Sequence, residues 1–249
     1  MFANSHAFLA DGVRAVLDPC WPKPDPAAVC AAMDEAFRMA DGAWDGRRLG
    51  LDYLRSAPAA ACKVGCGWCC HQQVGVTVIE AVRIARHLGD LPADEGGALM
   101  ARVTDTARRT AGMTTGERAR SKIACAFLGA DGRCMIYAVR PLRCRGLYSI
   151  DVQFCIDCHE KVDEMLARLE RGEVKPAFLE TPERIYDAAL AGLVALLRAR
   201  APKALVTLEL SAAVVALLRN PKLAALWLAG RAPDAAARLR PDPPAPGRF

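Results

Sequence analysis

The chain has 249 residues, a net charge of +5 and 11 cysteines, with 53% hydrophobic but only 6% aromatic residues. That length suits one domain with its own core, and so modest a charge makes no case for a nucleic-acid partner. The longest apolar run, AALAGLVALL at residues 188–197, is far too short to cross a bilayer, and the opening MFANSHAFLADGVRAVLDPC lacks the basic start and long apolar run of a secretory leader.

These absences lead to the expectation of a cytoplasmic protein. In that reducing compartment clustered cysteines bind metal or carry out redox chemistry rather than pair as disulfides. With few aromatics, the core should be mostly Ala, Leu and Val, a mixture that favours helices.

Asp25-Pro26 reads as a helix start, a cap followed by proline, with Val29, Ala32, Met33, Ala36 and Phe37 behind it at helical spacing. Thr77 with Glu80 three residues on is a capping box, Ala81, Ile84, Ala85 and Leu88 mark one apolar face, and Gly89 is the stop. A polar helix is predicted over residues 93–110. Residues 125–137, CAFLGADGRCMIY, form the one strand signal, two short β-compatible runs around the turn residues GADG. Val162, Met165, Leu166 and Leu169 resume helical spacing up to Gly172, and Thr181-Pro182 opens a further helix with Ile185, Ala189, Leu193 and Leu196 inward. Two short helices are predicted at 211–219 and 221–229. The Pro- and Arg-rich residues 233–249 read as a disordered tail. The predicted fold is mainly α: a helical single domain with an irregular cysteine-rich metal-binding centre and one short β-hairpin. Its parts are an N-terminal helical segment (1–61), the cysteine-cluster core (62–160), C-terminal helices packed on it (161–232) and the tail.

Nine of the cysteines fall in two blocks: Cys62, Cys66, Cys69 and Cys70, then Cys125, Cys134, Cys144, Cys155 and Cys158. These nine are the candidate metal ligands, whereas Cys20 and Cys30 stand apart and read as small buried apolar residues. Gly65 and Gly67 would each cost a helix about 1 kcal/mol relative to Ala, so the first block reads as backbone folding around something small. Four thiolates suit tetrahedral zinc, and equally a [4Fe–4S] cluster. Side chains of consecutive residues such as Cys69 and Cys70 point apart, and nine thiols are too many for one four-thiolate centre. Two centres, or one centre with working thiols, are therefore expected. Arg140, Arg143 and Arg145 around Cys144, and Lys63 after Cys62, are cations that favour thiolates. Of these Arg140 and Arg145 are the charge-balancing candidates, with Tyr137 as a hydrogen-bond donor to a sulfur. His71 and His159, each following a cysteine, read as ligands, proton carriers or polar neighbours.

The C-x3-C-x2-C-C block, the VT-x2-E-x2-RIA helix start and the run C-x-FL…G-x-C-x-IY-x2-RP-x2-CR resemble the CxxCxxCC (YkgJ-type) family of zinc- or iron-chelating domains, over about two fifths of the chain. The resemblance implies bound zinc or iron without a defined reaction. A related protein, flagellin lysine N-methylase, shares this kind of block and by analogy implies S-adenosylmethionine (SAM) and methyl transfer, although no glycine-rich SAM loop after a strand is readable. Cys62-x3-Cys66-x2-Cys69 also resembles the radical-SAM cluster motif, but the strand–helix repeats of that family are missing. Three roles follow: a metal-organised platform for a protein partner, an iron-dependent modifying enzyme with a protein or small-molecule substrate, or metal handling and redox sensing. The first leads, because no catalytic acid, base or substrate motif is readable.

Overall fold

The computed structural model describes residues 2–243. Helix α1 (Phe2–Leu17) buries Leu9, Val13 and Leu17, one residue per turn, a stripe too narrow to stand out in the sequence. The Asp25 carboxylate accepts the Ala28 N–H at 3.0 Å and caps α2 (Pro26–Arg48). Val29, Met33, Ala36 and Phe37 face the core as their spacing predicts. A short α3 (Leu51–Ser56) follows, then a loop interrupted by a 3-10 turn at Trp68–His71. Strand β1 (Gly75–Val76) leads into α4 (Val78–Gly89). The predicted capping box opens α4: the Glu80 N–H donates to Thr77 Oγ1 at 3.2 Å and the Thr77 N–H to Glu80 Oε2 at 2.8 Å.

Helix α5 (Ala93–Thr110) spans the predicted range and buries Leu99, Val103, Thr106 and Thr110. A second capping box, Thr114 with Glu117, starts α6 (Thr115–Arg120). Helices α7 (Leu142–Gly146) and α8 (Val152–Glu160) lie within the cysteine-rich region, which is therefore less irregular than its composition suggests. Helix α9 (Val162–Glu170) is followed by Gly172 at φ +72°, a left-handed stop. Helix α10 (Glu180–Arg200) has Leu179 rather than Thr181 at its cap position. Strand β2 (Leu208–Glu209), α11 (Leu210–Arg219) and α12 (Lys222–Leu228) complete the chain.

Helix α10 is the organising element, with α1, α2 and α7 packed on it, while α11 lies across α4 and α5. Gly192 lets α1 and α10 meet backbone to backbone, since a Cβ there would stand 2.4 Å from the Ala10 carbonyl oxygen. Val13, Met33, Ile79, Leu193, Leu196 and Trp227 are fully buried in one continuous core. Strands β1 and β2 pair antiparallel, Gly75 opposite Glu209 and Val76 opposite Leu208. The expected hairpin survives as a short one: Gly129 N–H donates to Arg133 O at 2.7 Å, Met135 N–H to Phe127 O at 2.8 Å, and a single bridge joins Leu128 and Cys134. Its first arm stops early because the Cys125 N–H is engaged by the Cys70 carbonyl at 2.6 Å.

Where composition predicts a disordered tail from residue 233, residues 233–243 are placed against the body. The Leu239 N–H donates to Thr207 O at 2.9 Å, Ala237 is buried, and the Asp242 carboxylate accepts the Gly116 N–H at 2.9 Å. Composition misses this because the partners are backbone groups of another segment. The rest of the predicted tail, 244–249, lies outside the described residues. Among the described residues no helix is long and apolar enough to cross a membrane. The whole is a mainly α-helical single domain with a short β-hairpin.

Candidate metal centre

The first cysteine block is a loop, not a helix. Gly65 sits at φ +86°, and the Cys66 N–H turns back to Lys63 O at 3.0 Å. Cys69 and Cys70 then lie in the 3-10 turn, where the Cys70 N–H reaches Gly67 O at 2.9 Å. What the glycines admit is the second block: a Cβ on Gly132 would come within 2.3 Å of Gly65 O, and one on Gly67 within 3.0 Å of Leu128 Cδ1. The loops carrying Cys62–Cys70 and Cys125–Cys134 thus cross at van der Waals distance.

The crossing brings the thiols of both blocks within electrostatic reach of one another. Cys70 senses Cys69, Cys125 and Cys144, while Cys144 senses Cys125, Cys69 and Cys134. Cys62 and Cys155 each sense Cys66 and Cys69, and Cys158 senses Cys155 across one turn of α8. Cys69 acts on thiols of both blocks: on Cys70, Cys134 and Cys144, and on Cys62 and Cys155. The consecutive pair does not diverge as expected. Cys70 hydrogen-bonds Cys69, which lowers the Cys69 pKa, and the same bond with burial raises that of Cys70. Cys30 lies in the core of α2, where burial pushes its thiol up to about 11, and Cys20 is raised for the same reason. No thiol of the two blocks acts on either.

Burial raises most of the clustered thiols, Cys125 to about 11. Against it, backbone N–H groups are directed at sulfur. The Ser149 N–H donates to Cys62 Sγ at 3.2 Å, and the amides of Phe127 and Ile136, each two residues past a cysteine, donate to Cys125 and Cys134. Donors of this kind favour the thiolate. Among the described residues no three Cys, His, Asp or Glu side chains stand in metal-coordinating geometry, yet the donor set fits a thiophilic metal: soft sulfur ligands, convergent amides and nearby cations.

The cations differ from expectation. Arg140 favours the thiolate at Cys69, Cys134 and Cys144 against their burial, rests 4.0 Å from the Tyr137 ring centre, and has a buried Nε with no hydrogen-bond partner among the described residues. Arg145 is committed elsewhere: it bonds Asp41 at 2.6 Å, the carbonyls of Ala138 and Arg140, and stacks on Phe37, leaving only a minor pull on Cys134. Arg143 pairs at the surface with Asp187, and Lys63 is exposed. Tyr137 is 60% exposed and carries Arg140 on its ring; no hydrogen bond joins it to a sulfur among the described residues. Arg118 was not anticipated. It is buried, donates to His71 O at 3.2 Å and slightly offsets the burial that raises Cys125. Its signal was the capping box Thr114-x2-Glu117, which places it on α6.

The His71 and His159 rings meet edge to face with centroids 4.6 Å apart. His71 Nδ1 lies 3.2 Å from Gly67 O, and burial followed by the His159 charge lowers its pKa. His159 Nδ1 lies 2.9 Å from the Glu160 carboxylate, while its Nε2 is buried without a hydrogen-bond partner among the described residues. Both rings line a mainly apolar cavity of about 280 Å³ with Trp68, Phe154, Cys155 and Cys158.

No curated protein and no solved structure matches the chain. One family model does, over residues 61–164, with the description "CxxCxxCC: Putative zinc- or iron-chelating domain". The span includes all nine clustered cysteines and leaves out Cys20 and Cys30. Residues 61–164 of this chain are therefore a CxxCxxCC (YkgJ-type) domain.

Proposed function

We propose that the chain is a zinc- or iron-binding protein whose thiols hold one or two metal centres, with the metal organising the domain for a protein partner or substrate. Cys69, Cys70, Cys125, Cys134 and Cys144 would supply one centre, and Cys62, Cys66, Cys155 and Cys158 the other. The observation that carries the reading is the set of backbone amides donating to Cys62, Cys125 and Cys134. Hydrogen bonds to ligating sulfurs stabilise thiolates and tune a bound metal, and a row of merely buried thiols has no need of them. The Arg140 Nε, buried and without a hydrogen-bond partner among the described residues, supports it as well, since its charge acts on Cys69, Cys134 and Cys144 and clustered thiolates carry negative charge. Zinc would act as a closed structural ion, while iron, alone or as a [4Fe–4S] cluster, would add redox chemistry.

A modifying enzyme is the second reading. It draws on the apolar cavity, whose wall includes Cys155, Cys158 and His159 and so borders one proposed centre. A SAM-dependent version has no support from the fold, whose strands among the described residues are two residues long. A cytoplasmic location fits the free thiols.

Anaerobic purification with elemental analysis and an absorption spectrum tests the reading. Stoichiometric zinc in a colourless sample supports the structural centre. Iron with inorganic sulfide and broad visible absorption supports the cluster and turns attention to the cavity. Substoichiometric metal that does not increase on anaerobic reconstitution with zinc or iron overturns the proposal.

A further inference from the structure

We infer that Glu80 is a positioning residue that sets the place of Cys144 in the thiol array; the inference rests on the metal-binding reading only in what that placement serves. Glu80 is 1% exposed, and a carboxylate so deep requires hydrogen bonds to compensate its lost hydration. Oε2 accepts from the Thr77 N–H at 2.8 Å and the Thr77 hydroxyl at 2.9 Å, which completes the capping box of α4. Oε1 does something a capping box does not require: it accepts the Leu142 N–H at 3.0 Å, 62 residues away in sequence. Leu142 is the first residue of α7, the helix that carries Cys144.

The far end of the same short helix is held by Arg145, bonded to Asp41 and to the carbonyls of Ala138 and Arg140. Burial raises the Glu80 pKa, against which the bonds from Thr77 and Leu142 and, last, the charge of Arg145 favour the carboxylate. Cys144 sits between these two fixed points, so its sulfur has little freedom to approach or leave Cys69, Cys125 and Cys134. Glu80 therefore joins the element after the first cysteine block to the element that delivers Cys144. A glutamine cannot reproduce this fully: its one carbonyl oxygen can serve Thr77 or Leu142, and its amide must face an N–H donor on the other side.

The test uses the full chain with Glu80→Ala, Glu80→Gln and, as a remote helix-cap control, Asp25→Ala. In metal-free protein, iodoacetamide labelling is followed cysteine by cysteine by peptide mass mapping. The expected result is that Glu80→Ala raises the labelling rate of Cys144 at least tenfold with a much smaller change at Cys30, that Glu80→Gln falls between, and that Asp25→Ala leaves Cys144 as in the wild type. With cobalt(II) as a spectroscopic probe, Glu80→Ala should weaken binding about tenfold, as for loss of a residue that orients a ligand. It should also dim the sulfur-to-cobalt band to the level of Cys144→Ala, with no further loss in the double variant. A Cys144 rate unchanged in Glu80→Ala, or raised only in step with every other buried thiol, overturns the positioning role. Wild-type protein that takes up neither zinc, iron nor cobalt overturns the metal reading instead, and the labelling result still decides the fate of Glu80.

Discussion

At the scale of single residues, the site depends on where glycine is required and where a thiol has company. Gly132 at φ +76° faces the Gly65 carbonyl with no room for a side chain. Gly132→Ala should cost about 1–3 kcal/mol through backbone strain and lower metal content with it, as read by urea denaturation and elemental analysis. Cys66→Ala and Cys134→Ala should each lower bound metal and Tm together; unchanged metal in both would remove them from the ligand set. Cys20→Ala and Cys30→Ala should leave metal content intact, because neither senses a clustered thiol. Spacing alone set nine cysteines apart from two, and the matched span 61–164 contains those nine. The commitment of Arg145 to Asp41 and the donation of Ser149 to Cys62 were not legible in the sequence, because each joins residues far apart in the chain.

At the scale of elements, caps and periodicity did most of the work. The capping box of α4 and the Asp25-Pro26 start of α2 lie where the sequence predicts them. Thr77→Ala should cost about 1 kcal/mol, measured as a shift in the urea midpoint at unchanged slope. Helices α7 and α8 went unread because their cysteines, arginines and glycine carry no apolar stripe; contacts with α10 and the 3-10 turn support them instead. The exposed Asp18–Arg200 pair ties the end of α1 to the end of α10 at 2.9 Å, and the arginine holds the Asp18 carboxyl below its usual range. A depressed folded pKa stabilises above the unfolded value of 3.8 and loses that contribution as pH falls through the folded pKa. Asp18→Asn should therefore lower Tm slightly at pH 7, with the difference closing on acidification below pH 3.8. A constant difference across that range would assign the effect to packing.

At the scale of the molecule, two blocks of cysteines more than fifty residues apart are joined by loop crossing and by Glu80. Metal held across both blocks would close a long loop and bind the folded state alone, so it adds to stability by mass action. Removing metal with a strong chelator should lower Tm and restore it on zinc or iron addition. Equal Tm in both states would mean that the helical core alone fixes the loops. That core is continuous from α1 to α12 and includes Trp21, whose Nε1 donates to Leu228 O at 3.2 Å.

The sequence by itself determined the helical class, the principal caps, the separation of nine cysteines from two, and the CxxCxxCC domain, because these depend on local spacing and residue chemistry. Only the tertiary structure decided that thiols of both blocks act on one another, which arginine faces sulfur, and that residues 233–243 pack on the body, Arg238 bridging Leu208 and Arg240 bridging Thr114. Those outcomes are set by backbone amides, carbonyls and glycine crossings whose partners are distant in the chain, and such pairings leave no periodic trace in the residues that make them.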